Sequence, residues 1–276
     1  MPTAPPDLGA VAGLGYSRGN GNPILQALES IAVVLLAPEC PICRLPLERV
    51  AAGPVCPACW GRVSFITPPL CDSCGNPLPS ARQTRDGRTI CRGCVADARA
   101  VDRARSVGTY DGALRDLVHL LKYGARRSLA RRLGDLLARS GADLVAGADI
   151  SVPVPLHWGR RWARGFNQAA ELAARLPLPV VHALVRVRRT RPQADLSATA
   201  REANVRDAFG LSWRLRVSGS SWRGVTRTPP LRDAVVVLVD DVSTTGATLE
   251  ACARVLKRAG AREVRALTVA RTPRVR

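Results

Sequence analysis

Two adjacent acids, Asp240 and Asp241, stand between an apolar run, Val236-Val237-Leu238-Val239, and the hydroxyl- and glycine-rich stretch Val242-Ser243-Thr244-Thr245-Gly246-Ala247-Thr248. Four branched apolar residues in succession predict a strand buried on both faces, with the acids at its carboxyl end and a short loop opening a helix. The backbone N–H groups at the helix start, with the hydroxyls of Ser243, Thr244, Thr245 and Thr248, would surround a phosphate where the helix dipole is positive. Gly246 lets the backbone approach such a ligand closely. Ionised Asp240 and Asp241 only accept hydrogen bonds, which suits the vicinal hydroxyls of a ribose, directly or through a divalent metal ion. The chemistry written here is recognition of a sugar phosphate. A buried strand leading into a Thr-capped helix would explain the apolar run and the hydroxyls, but not paired acids followed by Thr-Thr-Gly.

A second set of reactive residues lies earlier. Eight of the nine cysteines form four C-x-x-C pairs, Cys40/Cys43, Cys56/Cys59, Cys71/Cys74 and Cys91/Cys94, separated by spacers of 12, 11 and 16 residues. Each pair can form a knuckle that places two thiolates on one tetrahedral ion, so two structural four-cysteine Zn2+ sites follow. The simplest grouping joins adjacent knuckles, and spacing alone also permits a crossed one. Disulfides would need an oxidising compartment, which the chain does not advertise. Residues 40–94 hold few large apolar side chains, so metal binding should supply much of their folding free energy. Cys252 stands alone inside the helix expected after the phosphate loop and reads as core packing.

These residues need elements to position them. The 276-residue length predicts about two domains. Residues 1–21, rich in Gly and Pro, read as disordered, and 22–38 as an amphipathic helix with Ile24, Leu28, Ile31 and Leu35 at helical spacing. Residues 39–100 form the cysteine module. From 103 to 276 strand-like and helix-like segments alternate, which predicts an α/β domain with a parallel sheet flanked by helices. Leu114, Leu117, Val118 and Leu121 mark one helix, and Leu129, Leu133, Leu136 and Leu137 the next. Ile150–Val154 and Val180–Val185 read as strands and Gln168–Leu176 as a short helix. A βαβ unit follows: strand Ala234–Val239, helix Thr245–Ala259 and strand Val264–Val269. The loops after Val154 and Val239 lie at carboxyl ends of strands, where ligands of open α/β sheets collect. Ser212–Leu231 reads as a flexible polar insertion, or as a basic, aromatic binding arm. The longest uninterrupted apolar run, Ile31–Ala37, is too short to cross a membrane, and no signal peptide is evident, so a cytoplasmic protein is expected.

The stretch Val236–Thr248 resembles the phosphoribosyl pyrophosphate (PRPP) signature of type I phosphoribosyltransferases. Leu121-Lys122-Tyr123-Gly124, Val152-Pro153-Val154-Pro155-Leu156-His157, Arg161 and Arg164-Gly165-Phe166-Asn167-Gln168 extend that likeness to the ComF branch of the fold, which is also similar in carrying cysteine knuckles ahead of the domain. The resemblance implies that Asp240 and Asp241 serve the ribose and Mg2+, and that Val242, Ser243, Thr244, Thr245, Gly246, Ala247 and Thr248 serve the 5'-phosphate. It implies further that Val154, Pro155, Leu156 and His157 face the pyrophosphate. Arg161, Arg164, Gly165, Asn167 and Gln168 would then form a mobile closing loop, with Lys122 and Tyr123 beside it. Each has a plainer reading: His157 as a turn cap, Lys122 as a solvated helix end. No catalytic residue and no acceptor pocket is legible, because the place of the specificity hood is taken by the cysteine module.

Charge gives a second line of inference. The formal net charge is +19: residues 1–100 carry nine basic and seven acidic residues, whereas 101–276 carry 32 and 15. A surplus of that size favours polyanions. Arg126, Arg127, Arg131, Arg132, Arg160 and Arg161 are candidate backbone contacts, and Trp158, Trp162 and Phe166 candidate stacking platforms for single-stranded DNA. Only two of the 41 basic residues are lysine, so G- and C-rich coding and solvated helix faces compete as explanations. The resemblance implies single-stranded DNA handling during uptake in competence, with a competence helicase or other DNA-processing protein as partner. The alternative is an active transferase, amidophosphoribosyltransferase-like, passing the ribosyl group from PRPP to an unknown acceptor in nucleotide metabolism.

Overall fold

A computed structural model of the protein describes residues 38–47, 53–78, 89–96, 99–123, 127–156, 165–187, 207–213 and 231–272. The N-terminal segment 1–21, all of the expected helix 22–38 except its last residue, and nearly all of the insertion 212–231 lie outside them. The cysteine-rich region carries two one-turn helices, α1 (Pro57–Gly61) and α2 (Arg92–Ala96). After it come β1 (Arg103–Thr109), α3 (Gly112–Tyr123), α4 (Ser128–Ser140), the short α5 (Ala142–Val145), β2 (Ile150–Pro153) and α6 (Gln168–Ala173). A two-stranded antiparallel ribbon, β3 (Leu184–Arg186) with β4 (Phe209–Leu211), precedes the closing unit β5 (Val235–Ser243), α7 (Ala247–Arg258) and β6 (Glu263–Arg271).

Four strands form one all-parallel sheet in the order β1-β6-β5-β2. The central β5 has the double burial its apolar run predicts. Val237 and Val239 enter a core with α3, α4 and α6, while Val236 and Leu238 enter a second core with α7 and the β3/β4 ribbon. Alternation of side chains along a strand explains the split, and neighbours on both sides remove any solvent face.

Several boundaries differ from the sequence expectation. β5 runs on to Ser243, paired with Arg271 of β6, so Asp240, Asp241, Val242 and Ser243 belong to the strand rather than to a loop, and α7 begins at Ala247 rather than Thr245. The parallel neighbour keeps bonding beyond the apolar run. The Val180–Val185 strand reduces to a single bridge between Val180 and Ser151, with the ribbon starting at Leu184. The helix from Gln168 ends at Ala173, short of Leu176. β1 was not foreseen, because Arg-Ala-Arg-Ser-Val-Gly-Thr has no apolar run. Its residues 105–108 are nevertheless buried.

Beside β6, α4 and α5, the cysteine region helps to bury them. Residues 64–66 lie along the outer edge of β1: Ile66 N–H donates to the Val107 carbonyl and Thr109 N–H to the Ser64 carbonyl, each at 3.0 Å. The approach needs Gly108, where a Cβ would sit 2.5 Å from the Ser64 oxygen. Arg105 reaches out to the carbonyls of Cys71 (3.4 Å) and Asp72 (3.2 Å) and pairs with Asp143 at 3.1 Å. Arg271 donates to the Cys74 carbonyl. A sheet edge that would otherwise offer unpaired N–H and C=O groups is therefore covered within the chain. Among the described residues no helix is long and apolar enough to cross a membrane.

Candidate ligand site and metal centres

The eight paired cysteines fall into two clusters, Cys40, Cys43, Cys56 and Cys59, and Cys71, Cys74, Cys91 and Cys94, with all four ligand atoms of each within 4.8 Å of one another. Adjacent knuckles are therefore joined, and the crossed grouping is excluded. Zinc–thiolate bonds of about 2.3 Å at tetrahedral angles set sulfur atoms about 3.8 Å apart. The observed separations, 3.8 Å for Cys40–Cys59, 3.6 Å for Cys43–Cys56 and 3.7 Å for Cys74–Cys91, fit that edge. The ionisation pattern agrees. Burial raises the Cys40 thiol, but hydrogen bonds from the backbones of Cys56, Cys43 and Ile42 outweigh it and bring it to about 6. Burial and the neighbouring sulfurs push Cys59 well up. Hydrogen bonds from Cys74 and Cys94 hold Cys71 far down, while Cys71 and Cys74 drive Cys94 upward. Four crowded sulfurs thus resist ionising together, a conflict that a divalent cation resolves. The first cluster is part of the main core: Cys40, Cys59, Trp60 and Val63 pack with Leu114, Leu117 and Leu133.

The acid doublet occupies the carboxyl end of β5. Because neighbouring strand residues point to opposite faces, Asp241 shares the side of Val237 and Val239, toward α3, and Asp240 the side of Val236 and Leu238, toward α7 and the ribbon. On the first side Lys122, in the last turn of α3, places its Nζ 2.9 Å from Asp241 Oδ1, with the two side chains only 17% and 12% exposed. Burial works against the Lys122 charge, but the Asp241 carboxylate, with help from Asp240, raises its pKa above the ordinary value. On the second side burial, then repulsion from Asp241, raises Asp240 to about 7. The Asp241 N–H, which donates to Asp240 Oδ1 at 2.8 Å, together with Lys122 and Arg186, partly counters the rise. Lys122 thus lies at the acids rather than at a solvated helix end. Arg186, which sequence reasoning missed, acts on Asp240 from β3; no local pattern distinguishes it among so many arginines.

Beyond the acids, Thr244–Gly246 make the bend into α7. Gly246 caps that helix at φ +83°, a left-handed conformation that other residues enter only with strain. The Thr245 hydroxyl accepts from the Ala247 N–H at 3.3 Å, and Thr248 lies in the first turn. Next door, Val154 leaves β2 by donating its N–H to the Val239 carbonyl at 2.9 Å, and Pro155 and Leu156 follow, half-buried. The two strand ends are thus tied together at the loops expected to serve one ligand.

Other predicted site residues find different places. Asn167 caps α6 by accepting from the Ala169 N–H and donates from Nδ2 to the Val154 carbonyl, both at 3.1 Å, so it braces the β2 loop. Gln168, expected on a mobile loop, is 1% exposed within the first turn of α6. Gly165 is exposed at φ +73°, and Tyr123 is exposed beside the His119 ring. Phe166, a proposed stacking platform, is buried under the guanidinium of Arg127, which also pairs with Glu171. Arg132 lies 4.2 Å over the Trp60 ring, linking α4 to the first cysteine cluster. Both arginines are engaged within the fold, while Arg131 is exposed. His157, Trp158, Arg160, Arg161, Trp162, Arg164 and Arg126 lie outside the described residues.

Comparison with known proteins gives the class first. The phosphoribosyl transferase domain family matches residues 163–275 and the double zinc ribbon domain family residues 31–95. A parallel sheet with an acid doublet at the end of a central strand, joined to two four-thiol clusters, is a phosphoribosyltransferase-like domain behind a double zinc ribbon. The chain is 33% identical over 248 residues to the DNA utilization protein YhgH of Salmonella typhimurium, covering 84% of this chain and 96% of the relative. It is 30% identical over 243 residues to competence protein F of Haemophilus influenzae, with the same coverage, and 26% identical over 213 residues to competence protein ComFC of Bacillus subtilis, covering 75% and 79%. The chain belongs to the ComF/YhgH family.

Proposed function

We propose that the protein binds PRPP with Mg2+ at the end of β5 and single-stranded DNA on its basic α/β domain, and serves DNA uptake in competence. The observation that carries the ligand reading is the doublet itself. Asp240 and Asp241 are adjacent carboxylates beside a left-handed glycine and a helix start, and Asp240 is held above its ordinary pKa by burial and by its neighbour. Such a pair gains from a hard cation and from hydroxyl donors, which a Mg2+-bound ribose supplies. The 242–248 segment would receive the 5'-phosphate, and Lys122 would offer its charge to the departing end of the ligand. The role in DNA uptake rests on relatives named as competence and DNA utilization proteins and on the +17 surplus of residues 101–276.

A second reading, an active phosphoribosyltransferase, is favoured by the presence of both acids and the entire phosphate segment. Mg2+ would then supply charge stabilisation to the leaving pyrophosphate. A cysteine nucleophile of the glutaminase kind is not part of it: Cys252 is fully buried in α7, and burial pushes its thiol well up. The test is calorimetric titration with PRPP and Mg2+, on the wild type and on Asp240→Ala/Asp241→Ala. Saturable heat lost in the double variant supports the ligand reading, and no heat with the wild type refutes it. Pyrophosphate release with any amine or base, abolished by the same change, would favour the enzyme.

A further inference from the structure

Toward the C-terminal end of α7 lies a second feature that the proposed PRPP site does not use and that only Arg99, whose charge lowers the Cys94 thiol, links to a cysteine cluster. A cleft of about 600 Å3 is lined by Arg99, Ala100, Asp207, Arg254, Lys257 and Arg258. We propose that this cleft is a separate anion site that takes a run of linked phosphate groups.

Among the described residues the charges do not cancel within it. Lys257 is committed, 2.7 Å from Asp102 and donating to the Arg262 carbonyl at 2.8 Å. Arg258 donates from Nε to the Arg254 carbonyl at 3.3 Å, which leaves its two terminal nitrogens available. Among the described residues Arg99, Arg254 and Arg258 have no carboxylate within ion-pair distance, and Asp207 is the one acid facing three guanidinium groups. Arg99 carries a further signal: its Nε is buried without a hydrogen-bond partner among the described residues. A desolvated guanidinium N–H left unsatisfied is costly, and an anion in the cleft would relieve it.

The geometry is prepared in advance. Arg254 and Arg258 are one turn apart on α7, a rise of about 6 Å, so two guanidinium forks stand in line where consecutive phosphates of a chain could each find one. Arg99 and Ala100 supply a further wall of the cleft. That wall is pinned along the helix by the Ala100 N–H, which donates to Glu250 Oε2 at 2.8 Å, and by the Lys257–Asp102 pair. The backbone of the cleft is thus fixed before binding, and what a ligand must still order is the exposed side chains of Arg254 and Arg258. Basic residues in a last helical turn also offset the helix dipole, which explains Lys257 and Arg258. It does not explain Arg254, set a turn earlier, and Arg99, which belongs to no helix, is only partly accounted for by its action on Cys94. Arg254 is eight residues from Gly246, about 12 Å along the axis, so the cleft is distinct from the phosphate segment at the other end of the same helix.

Free polyphosphate and the backbone of a single-stranded nucleic acid share this chemistry, and only the second arm rests on the DNA reading above. The experiment titrates the zinc-loaded full chain with inorganic tripolyphosphate and with a dye-labelled oligothymidylate, at salt concentrations between about 50 and 200 mM. Arg254→Glu/Arg258→Glu and Arg99→Gln are compared with Asp240→Ala/Asp241→Ala, and unchanged melting confirms that the exposed substitutions leave the fold intact. The expected result is a loss of about tenfold or more in tripolyphosphate affinity for the double arginine variant, and a smaller loss for Arg99→Gln. The acid variant should bind as the wild type does. If the oligonucleotide weakens in parallel and its log–log salt slope falls by about 1.4, two contacts' worth on a single strand, the natural source is nucleic acid. If only tripolyphosphate weakens, it is a free polyphosphate. Equal tripolyphosphate binding by the wild type and Arg254→Glu/Arg258→Glu, or no binding of either probe to the wild type, overturns the site. Oligonucleotide binding that survives the arginine changes removes the cleft from the DNA reading without removing that reading itself.

Discussion

Replacing Lys122 with Met tests whether the acid doublet is stabilised by a built-in counter-ion. Met keeps most of the aliphatic stem and removes only the ammonium that lies 2.9 Å from Asp241 Oδ1. At an effective dielectric constant near 20 a unit pair at that distance attracts by about 6 kcal/mol, and desolvation of both partners offsets much of it. Removing one partner of a buried pair typically costs about 3–5 kcal/mol because the other is left uncompensated. With the side chains still 17% and 12% exposed, a loss of about 2–3 kcal/mol is expected, or roughly 5–10 °C in melting temperature for a chain of this size. Asp241→Asn alone should cost less, since it also lifts the repulsion on Asp240. The double variant should recover part of the loss, giving a coupling of about 1.5–2.5 kcal/mol. The pH dependence has a definite sign. The folded-state pKa of Lys122 is raised above 10.5, so its contribution is fully present below that value and disappears as pH rises through the folded pKa. The wild-type advantage should therefore grow as Asp240 ionises near pH 7, persist to about pH 9.5 and shrink beyond. Urea unfolding of the zinc-loaded protein measures it. A Lys122→Met variant as stable as the wild type at pH 7.5, with no coupling to Asp241→Asn, would refute the reasoning.

Asp240→Asn should stabilise the ligand-free protein at pH 8 by about 1–3 kcal/mol, because the folded-state pKa, near 7 against an ordinary 3.8, means stability is lost as pH rises between those values. The gain should vanish at pH 4, and PRPP titration of the same variant should show weakened binding. Cys59→Ser and Cys94→Ser should each lower zinc content from two ions to one. Cys59→Ser should reduce thermal stability more, because its cluster packs with Trp60 and Leu114 in the main core while Cys94 stays partly exposed. Gly108→Ala would press a methyl group against the Ser64 carbonyl and Leu114. A loss of about 2–3 kcal/mol, with faster amide exchange in β1 and residues 64–66, is expected from hydrogen-exchange measurements.

The central β5 and its two cores follow from Val236–Val239, since a run with no polar position has no solvent side to offer. Helices α3 and α4 likewise follow from the spacing of their leucines. β1 was illegible for the opposite reason. Its burial comes from a partner remote in sequence, and Arg105, which looks like a surface residue, is satisfied by carbonyls of the cysteine region. At the ligand site the sequence named Asp240, Asp241, Gly246 and Lys122 individually. It held no sign that Lys122 would reach Asp241, that Arg186 would act on Asp240, or that Asn167 would brace the β2 loop.

By itself, then, the sequence determined which chemistry is present: paired acids, a segment suited to phosphate, eight thiols in tetrahedral spacing and a surplus of guanidinium groups. Local spacing is enough for that, because knuckles, strand alternation and helix starts are short-range geometry. Tertiary structure alone decided how charges pair, which arginines are spent on Glu171 and Trp60, which remain around the α7 cleft, and which cysteine knuckles share an ion. Those are contacts between residues far apart in the chain, and their distances exist only once the sheet has set its strands in order.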